Sequence, residues 1–454
     1  MNHPIAHTVR RTTGLQATIL VALALLTARG GAAQVFATIS EFQGGSEGAN
    51  PGNLIFGTNG ALYGATASGG SSGYGTVFEL APLTGDTWGK VVLFSFNGAD
   101  GASPSPNSTL AFSSSGALYG TTFAGGSGDS GGTVFELAPP TAVGGAWTQT
   151  VLYSLPGSTG MRAPWGGVLV GPGGQLYGTA WATEEFFGEN AGGAVFMLTP
   201  PATPGGTWTE STVFSFWPPT PLGQGSESGL VSVGGSLYGT NTDYDSDCGR
   251  VYELSPPATV GGAWTGTTIS TFEGGGCGPI AGLTVGKGGV LYGTTYAGGS
   301  GTCEFQYGPL NGCGTVFQLT PPATVGGAWT ETVIYNFTGL DGDGLYPATA
   351  VLLGKDGVLY GTTQFGGSAT SGSPCEGYGA GGALEPLGCG TVFQLTPPAK
   401  PGGVWTETIL HSFTGRDGEG LEPGSLTMNA AGDLFGSTLW GGAAEAGTIF
   451  TIQK

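Results

Sequence analysis

Apolar and polar positions in this chain change in short segments, without the 3.6-residue period of an amphipathic helix. Residues 108–112 alternate and indicate a strand, and residues 118–122, 133–137 and 147–153 indicate three more. Pro139-Pro140 ends the third segment, because proline cannot donate a hydrogen bond to a sheet. The segments therefore predict a four-stranded antiparallel unit.

The phrase Leu-Tyr-Gly-Thr-Thr, found at residues 118–122, occurs seven times, whole or slightly altered. Its copies begin at Leu62, Leu118, Leu176, Leu237, Leu291, Leu359 and Leu434. Each copy is preceded by a turn such as Ser115-Gly116, which predicts a two-residue hairpin, and is followed by a glycine-rich loop. The strands are apolar on both faces, so each sheet needs a neighbour on both sides. Radial stacking of such repeats is typical of a β-propeller.

The two ends of the repeat region complement each other. The seventh repeat stops after its third strand segment, at residues 447–452, whereas residues 35–42 match the missing fourth strand. An N-terminal strand that completes the last blade would close the ring and remove exposed sheet edges. We therefore predict an all-β fold for residues 34–454, a seven-bladed β-propeller of four-stranded antiparallel blades.

Residues 1–33 have the features of a secretory signal peptide. Arg10 and Arg11 precede an apolar run at residues 19–26 that is too short to span a bilayer, and small residues follow it. The arginine pair is also compatible with twin-arginine export, although residues 12–14 fit that signal poorly. We expect a protein that is secreted or located at the cell surface, with no membrane span in residues 34–454.

The charge of residues 34–454 excludes some partners. This part of the chain has 8 Lys and Arg against 30 Asp and Glu, a formal net charge of −22. Binding to nucleic acid needs clustered Lys and Arg, so we expect no nucleic-acid partner. The 93 glycines of the sequence are explained by tight turns, since regular apolar phrases argue against disorder.

The phrases Gly-x-Leu-Tyr-Gly-Thr-Thr, Gly-Gly and Gly-Thr-Val-Phe resemble the GloVer tandem repeat, a family of secreted or surface-anchored bacterial proteins. The resemblance covers essentially all of residues 34–454. It implies a repeat protein of unsettled function and supplies no catalytic residues. Members of this family often carry a C-terminal anchor, and we expect none in this chain.

Six cysteines in an exported chain predict three disulfides. Each predicted pair brackets a loop or lies on one rim of the propeller: Cys248–Cys277, Cys303–Cys313 and Cys375–Cys389. Metal binding by thiolates is the alternative, but no CxxC pair supports it. His411 is the only histidine in residues 34–454, which argues against a Ser-His-Asp triad and against a site with several histidines.

Carboxylates gather in two of the predicted rim loops. Glu184 and Glu185 lie in the third repeat, and Asp243 and Asp245 lie in the fourth. Three interpretations remain open. The first is solvated loop charge, the second is a calcium site with oxygen ligands, and the third is an acid and base pair for glycoside hydrolysis. We expect no other cofactor.

Two tryptophans, Trp165 and Trp217, stand outside the repeated phrases in loops between blades. A rim tryptophan can stack on a sugar or anchor a protein partner, or it can pack beneath its own loop. The aromatic residues that follow several key phrases, Tyr296 and Trp440 among them, are interpreted as packing residues because the repeat carries them.

The sequence favours a secreted, non-catalytic propeller that binds an extracellular polysaccharide or protein through its loop-rich face. The candidate contacts are Trp165, Trp217, Glu184, Glu185, Asp243 and Asp245. One alternative is a secreted carbohydrate-active hydrolase or lyase that uses the loop carboxylates. Another is a structural component of the cell envelope, which would assemble with itself.

Overall fold

The key phrase of every repeat forms the second strand of a four-stranded antiparallel sheet, and seven such sheets form a β-propeller. The computed structural model describes residues 34–454 except for 86, 128–130, 143, 157–162, 181–192, 204, 217–221, 223–224, 227, 243–247, 260, 273–275, 304–311, 325, 369–374, 379–383, 401 and 417. We number the blades 1 to 7 by the order of their key phrases.

In each blade the first and fourth strands are the two edges of the sheet. The first strands are Ile55–Phe56, Ala111–Phe112, Leu169–Val170, Val231–Val233, Thr284–Val285, Leu352–Leu353 and Thr427–Met428. The second strands are Leu62–Ser68, Leu118–Thr122, Leu176–Ala180, Ser236–Asn241, Leu291–Thr295, Leu359–Thr363 and Leu434–Gly441. The third strands are Thr76–Pro82, Thr133–Ala138, Ala194–Thr199, Arg250–Ser255, Thr315–Thr320, Thr391–Thr396 and Thr448–Gln453.

The fourth strands carry a β-bulge opposite the third strand, which bends the outer edge of each blade. They are Trp88–Ser95, Thr148–Ser154, Thr209–Ser215, Thr265–Thr271, Thr330–Asn336, Thr406–Ser412 and Val35–Glu41. Short strands in the connecting loops are Ala49–Pro51, Gly344–Leu345, Phe365–Gly366, Glu376–Tyr378, Leu384–Pro386 and Gly420–Pro423. Single 3₁₀ turns occur at Gly45–Glu47, Lys287–Gly289 and Lys355–Gly357.

The N-terminal strand completes blade 7, as the sequence predicted. Val35–Glu41 pairs antiparallel with Thr448–Gln453, and Val35 lies opposite Gln453. The Phe36 ring stacks on His411 of blade 6, with centroids 3.6 Å apart and an angle of 3° between the planes. Closure is therefore secured both by strand pairing within blade 7 and by ring contact with its neighbour.

The first three residues of the key phrase build the seams between blades. Leu118 is fully buried, and the Tyr119 ring meets Trp208 of the next blade edge-on, with centroids 6.1 Å apart. Gly120 leaves room for the Phe135 ring, since a β-carbon at this glycine would lie 2.5 Å from the end of that ring. The hydrophobic core is thus divided among seven seams between the blades.

The last two residues of the phrase satisfy buried hydrogen bonds. The Thr121 hydroxyl donates to the carbonyl oxygen of Gly166 in the next blade at 3.0 Å, and the Thr122 hydroxyl lies 2.9 Å from the Thr133 hydroxyl in its own blade. Donors equivalent to Thr121 in five other blades are Thr179, Thr240, Thr294, Thr362 and Ser437. The polar end of the phrase therefore ties each of these six blades to the next.

Blade 1 has Ala65 at the position of Thr121 and uses a different residue for the same purpose. The side-chain amide of Asn53 donates to the Asn107 carbonyl oxygen at 3.0 Å and to the Thr109 hydroxyl at 3.1 Å. Its amide oxygen accepts a 3.1 Å hydrogen bond from the Ser425 backbone N–H. Asn53 thereby links blades 7, 1 and 2.

Most hairpins between first and second strands are one residue longer than the predicted two-residue form. In blade 2 the Ser113 N–H donates to the Ala117 carbonyl oxygen, so three residues form the loop, and its last residue, Gly116, has a φ of 85°. Only in blade 4, among the hairpins in the described part of the chain, do two residues form the loop, Gly234 and Gly235, both with positive φ. Glycine at the third position of the longer loop meets the same conformational requirement.

Candidate ligand-binding face

Two kinds of loop meet on one edge of the ring. The loop between blades 1 and 2 pairs with the loop after the second strand of blade 2 through Ala102 and Ala124. The loop between blades 4 and 5 pairs with the corresponding loop of blade 5 through Cys277 and Ala297. We call this edge the loop face. The shorter turns of the antiparallel blades lie on the opposite edge, the turn face.

All three disulfides lie on the loop face, and their pairs are those predicted: Cys248–Cys277, Cys303–Cys313 and Cys375–Cys389. The first joins a loop of blade 4 to the loop that leads to blade 5. The other two close long loops of blades 5 and 6, with Cα atoms 5.0 and 5.2 Å apart. Such bridges are typical of proteins that fold outside the reducing cytoplasm.

Most of the candidate contacts from the sequence lie outside the described residues: Trp217, Glu184, Glu185, Asp243 and Asp245. Trp165 is described, on the loop between blades 2 and 3. Its ring is half-buried and meets Phe123 edge-on, with centroids 5.4 Å apart. Part of the Trp165 side chain therefore packs against blade 2.

The aromatic residues most exposed on the described loop face are Tyr74 and Trp440, with 44% and 43% of their surface accessible. Trp440 lies near the end of the second strand of blade 7, opposite Leu421. The sequence interpretation assigned Trp440 to packing because other key phrases are also followed by aromatic residues. Only its exposure identifies it as a candidate contact, and repeat position does not reveal exposure.

Five loops between blades carry a strained residue at the same position of the loop face. Five residues that precede proline have φ between 47° and 59°: Asn50, Ser103, Ala163, Tyr346 and Glu422. This left-handed conformation is unfavourable for residues with a β-carbon, and more so before proline. Each backbone N–H donates to a carbonyl oxygen of the preceding blade, which holds the conformation. Side chains of different chemistry therefore occupy one fixed backbone position around the loop face.

Two of these residues, Tyr346 and Glu422, belong to a polar and aromatic cluster with Tyr296 and Gln364. Tyr346 is buried and its ring stacks on Tyr296, with centroids 4.9 Å apart. The Tyr296 hydroxyl donates to the Gln364 side-chain oxygen at 3.0 Å. Burial raises the pKa of the Glu422 carboxyl, and a hydrogen bond from Gln364 partly offsets this. We call these four residues the blade 5–7 cluster.

A cavity of about 240 Å³ lies where the first strands of the seven blades converge. Its lining includes Asn53, Thr109, Ser228, Thr349 and Ser425, and none of the described lining residues carries a charge. Amides, hydroxyls and backbone groups can hold water or a neutral polar group here, whereas a bare ion would find no counter-charge.

The seam between blades 5 and 6 contains two neighbouring carboxyls, the buried Asp343 and the half-buried Glu407. Tyr335 donates to Glu407 at 2.7 Å, and burial, followed by the nearby Asp343 carboxylate, raises the pKa of Glu407 to about 7. Blades 1 and 2 have a hydrogen-bond donor at the position of Glu407, whereas blade 5 has Glu331 there. Lys90 forms an ion pair at 2.9 Å in blade 1, and Gln149 donates to a carbonyl oxygen in blade 2. The raised pKa thus belongs to a contact between blades.

Among the residues that the structure describes, no group of three His, Cys, Asp or Glu side chains is placed to hold a metal ion. His411 lies in a fourth strand, between Phe36 and Phe413. Among the described residues, none of the helices has the length and apolar character needed to span a bilayer.

Solved structures with similar folds include proteins of different kinds. The chain is similar to PorZ, a bacterial surface component of the type-IX secretion system of Porphyromonas gingivalis, with 14% identity, 92% of this chain and 48% of that chain covered, and a TM-score of 0.48. A protein of unknown function from Dyadobacter fermentans is 13% identical, with 93% of this chain and 100% of that chain covered and a TM-score of 0.41. A putative oxidoreductase (glucose dehydrogenase) from Thermus thermophilus is 16% identical, with 73% of this chain and 94% of that chain covered and a TM-score of 0.37.

None of the curated proteins compared with this chain matches it. A family model does match, over residues 26–144, 91–305 and 142–375, which together span most of the sequence. These residues contain the phrases that build the blade seams. The chain belongs to the Gloeobacter/Verrucomicrobia repeat family.

Proposed function

We propose that this chain is an exported, non-catalytic propeller that binds an extracellular polysaccharide through its loop face. The observation that carries the proposal is the exposure of Trp440, 43%, on the face where the disulfide-pinned loops lie. An exposed indole gives a flat apolar surface that stacks on the C–H face of a sugar ring. Tyr74 offers a second such ring in the neighbouring blade.

Rigidity of the face supports binding without catalysis. The strained residues before proline and the disulfides fix the loops before any ligand arrives, which reduces the entropy lost on binding. The Asp343 carboxyl contributes to the raised pKa of Glu407, and this interaction belongs to the seam between blades 5 and 6. Catalysis by Glu184, Glu185, Asp243 and Asp245, and calcium binding in the Asp243–Asp245 loop, stay alternatives.

Export rests on the leader-like composition of residues 1–33 and on the three disulfides. If the leader is removed, N-terminal sequencing of protein collected from the culture medium or the cell surface would begin near Gln34. Retention of an intact N-terminus inside the cell would contradict export.

Binding is tested by affinity electrophoresis of the purified protein through gels that contain single polysaccharides, together with a pull-down from extracellular proteins. Retardation by a polysaccharide, without release of reducing sugar, is the expected result. Release of new chain ends would support the hydrolase or lyase alternative. Specific capture of a protein without retardation in any gel would overturn the choice of ligand class.

A further inference from the structure

We infer that Trp440, Gln364 and Glu422 form one sugar subsite on the loop face of blades 6 and 7, and that it takes an uncharged, hydroxyl-rich polysaccharide. The inference rests on the proposed function and adds the place of binding and the charge class of the ligand.

The backbone brings the three residues to one edge. Trp440 is the strand partner of Leu421, the residue directly before Glu422. The Glu422 N–H donates to the carbonyl oxygen of Cys389, so the loop is tied to the Cys375–Cys389 bridge. Gln364 belongs to the same edge through its hydrogen bond with Glu422.

The polar groups of the subsite are oriented in advance. The Gln364 oxygen is occupied by the Tyr296 hydroxyl, and this directs the amide nitrogen toward Glu422. The Tyr296 ring is in turn held by stacking on Tyr346. The Glu422 carboxylate can accept hydrogen bonds from sugar hydroxyls, while the Trp440 indole binds the apolar face of the sugar ring.

The charge of blade 7 and its incoming loop decides between classes of polysaccharide. Glu41, Glu419, Glu422 and Glu445 lie in these segments, and Arg416 is the one cation in residues 413–424. Residues 34–454 as a whole have a net charge of −22. A polyanion with carboxylates or sulfates would be repelled both on approach and at the subsite.

The test compares the purified protein with Trp440→Ala and Glu422→Gln variants in gels that contain laminarin (neutral), alginate (anionic) or chitosan (cationic). Val404→Ala is the matched control, because Val404 is an exposed apolar residue on the turn face, 87% accessible. We expect retardation by laminarin, none by alginate, and a loss of affinity of about tenfold for each subsite variant. The control should bind like the wild type.

The outcomes separate the two proposals. Binding to laminarin that neither subsite variant weakens would overturn the subsite and leave polysaccharide binding intact. Retardation by alginate as strong as by laminarin, or by chitosan alone, would overturn the charge class. If no polysaccharide retards the wild-type protein, the proposed function itself fails.

Discussion

The phenol of Tyr335 in blade 5 donates a 2.7 Å hydrogen bond to Glu407 in blade 6, across the seam between two outer strands. Lys90 and Gln149 occupy the equivalent position in blades 1 and 2, and both are permanent donors. Glu407 can donate to the neighbouring Asp343 carboxylate only while it carries a proton. We therefore expect the stability of the seam between blades 5 and 6 to depend on pH.

Glu407→Gln should make the stability of the protein less dependent on pH. The folded protein raises the pKa of Glu407 from its usual 4.5 to about 7, so it binds this proton more tightly than the unfolded chain does. The stabilisation is complete below the usual pKa and is lost as the pH rises through about 7, and its size is about 1–3 kcal/mol. The variant keeps a donor at every pH. Urea unfolding from about pH 5 to pH 8 measures the difference.

Glu331→Gln, at the equivalent position in blade 5, is the matched control for removal of a carboxyl from this position. If Glu407→Gln has the same slope of stability against pH as the wild type, the protonated carboxyl is not the donor.

Asn53→Ala should destabilise the protein by about 2–3 kcal/mol, because it removes hydrogen bonds from Asn53 to blade 2 and from Ser425 of blade 7. Adding Ala65→Thr should restore part of this loss, since threonine or serine ties six other blades at that position. Thermal unfolding compares the single and double variants. A double variant as unstable as Asn53→Ala would contradict the interpretation of Asn53 as the substitute for the missing hydroxyl.

Phe36→Ala should weaken closure of the ring by about 2–4 kcal/mol, because the ring of Phe36 packs on His411 and Phe450. Val35→Ala is the neighbouring control, with a side chain that is 55% exposed, and should change stability by less than about 0.5 kcal/mol. Equal effects of the two substitutions on the urea midpoint would argue against ring packing as the fastening of the last blade.

Gly120→Ala should cost about 1–3 kcal/mol, since the new methyl group would overlap the Phe135 ring. Gly229→Ala provides the comparison, because a β-carbon at Gly229 meets no atom within 4 Å and its φ is not positive. Calorimetric unfolding of both variants would show whether the glycine of the key phrase is kept for space. A larger loss for Gly229→Ala would refute that reason.

The repeated phrase made the architecture predictable. Leu118, Gly120 and Thr121 each make a contact that depends only on the same blade or the next one, so the number of copies of the phrase gives the number of blades. Closure was predictable from residues 35–42, which match the fourth strand that the last repeat lacks. The length of the hairpin loops could not be predicted from the sequence. Ser115-Gly116 is compatible with both a two-residue turn and the three-residue turn that forms.

The candidate site depended on contacts that no short phrase contains. The hydrogen bonds of Gln364 reach Tyr296 of blade 5 and Glu422 in the loop that enters blade 7, so its role appears only when three blades are in place. The signal that would have helped is the residue before proline in five of the loops between blades, because Asn50, Ser103, Ala163, Tyr346 and Glu422 differ in chemistry.

The pairing of Val35 with Gln453 has a consequence for folding. Its two strands are separated by almost the whole polypeptide, so the contact forms only after both ends have been synthesised, and it is entropically the most demanding one in the fold. A chain that lacks its final strand would leave the N-terminal strand without a partner and both sheet edges open to aggregation. Ring closure thus distinguishes finished molecules from incomplete ones.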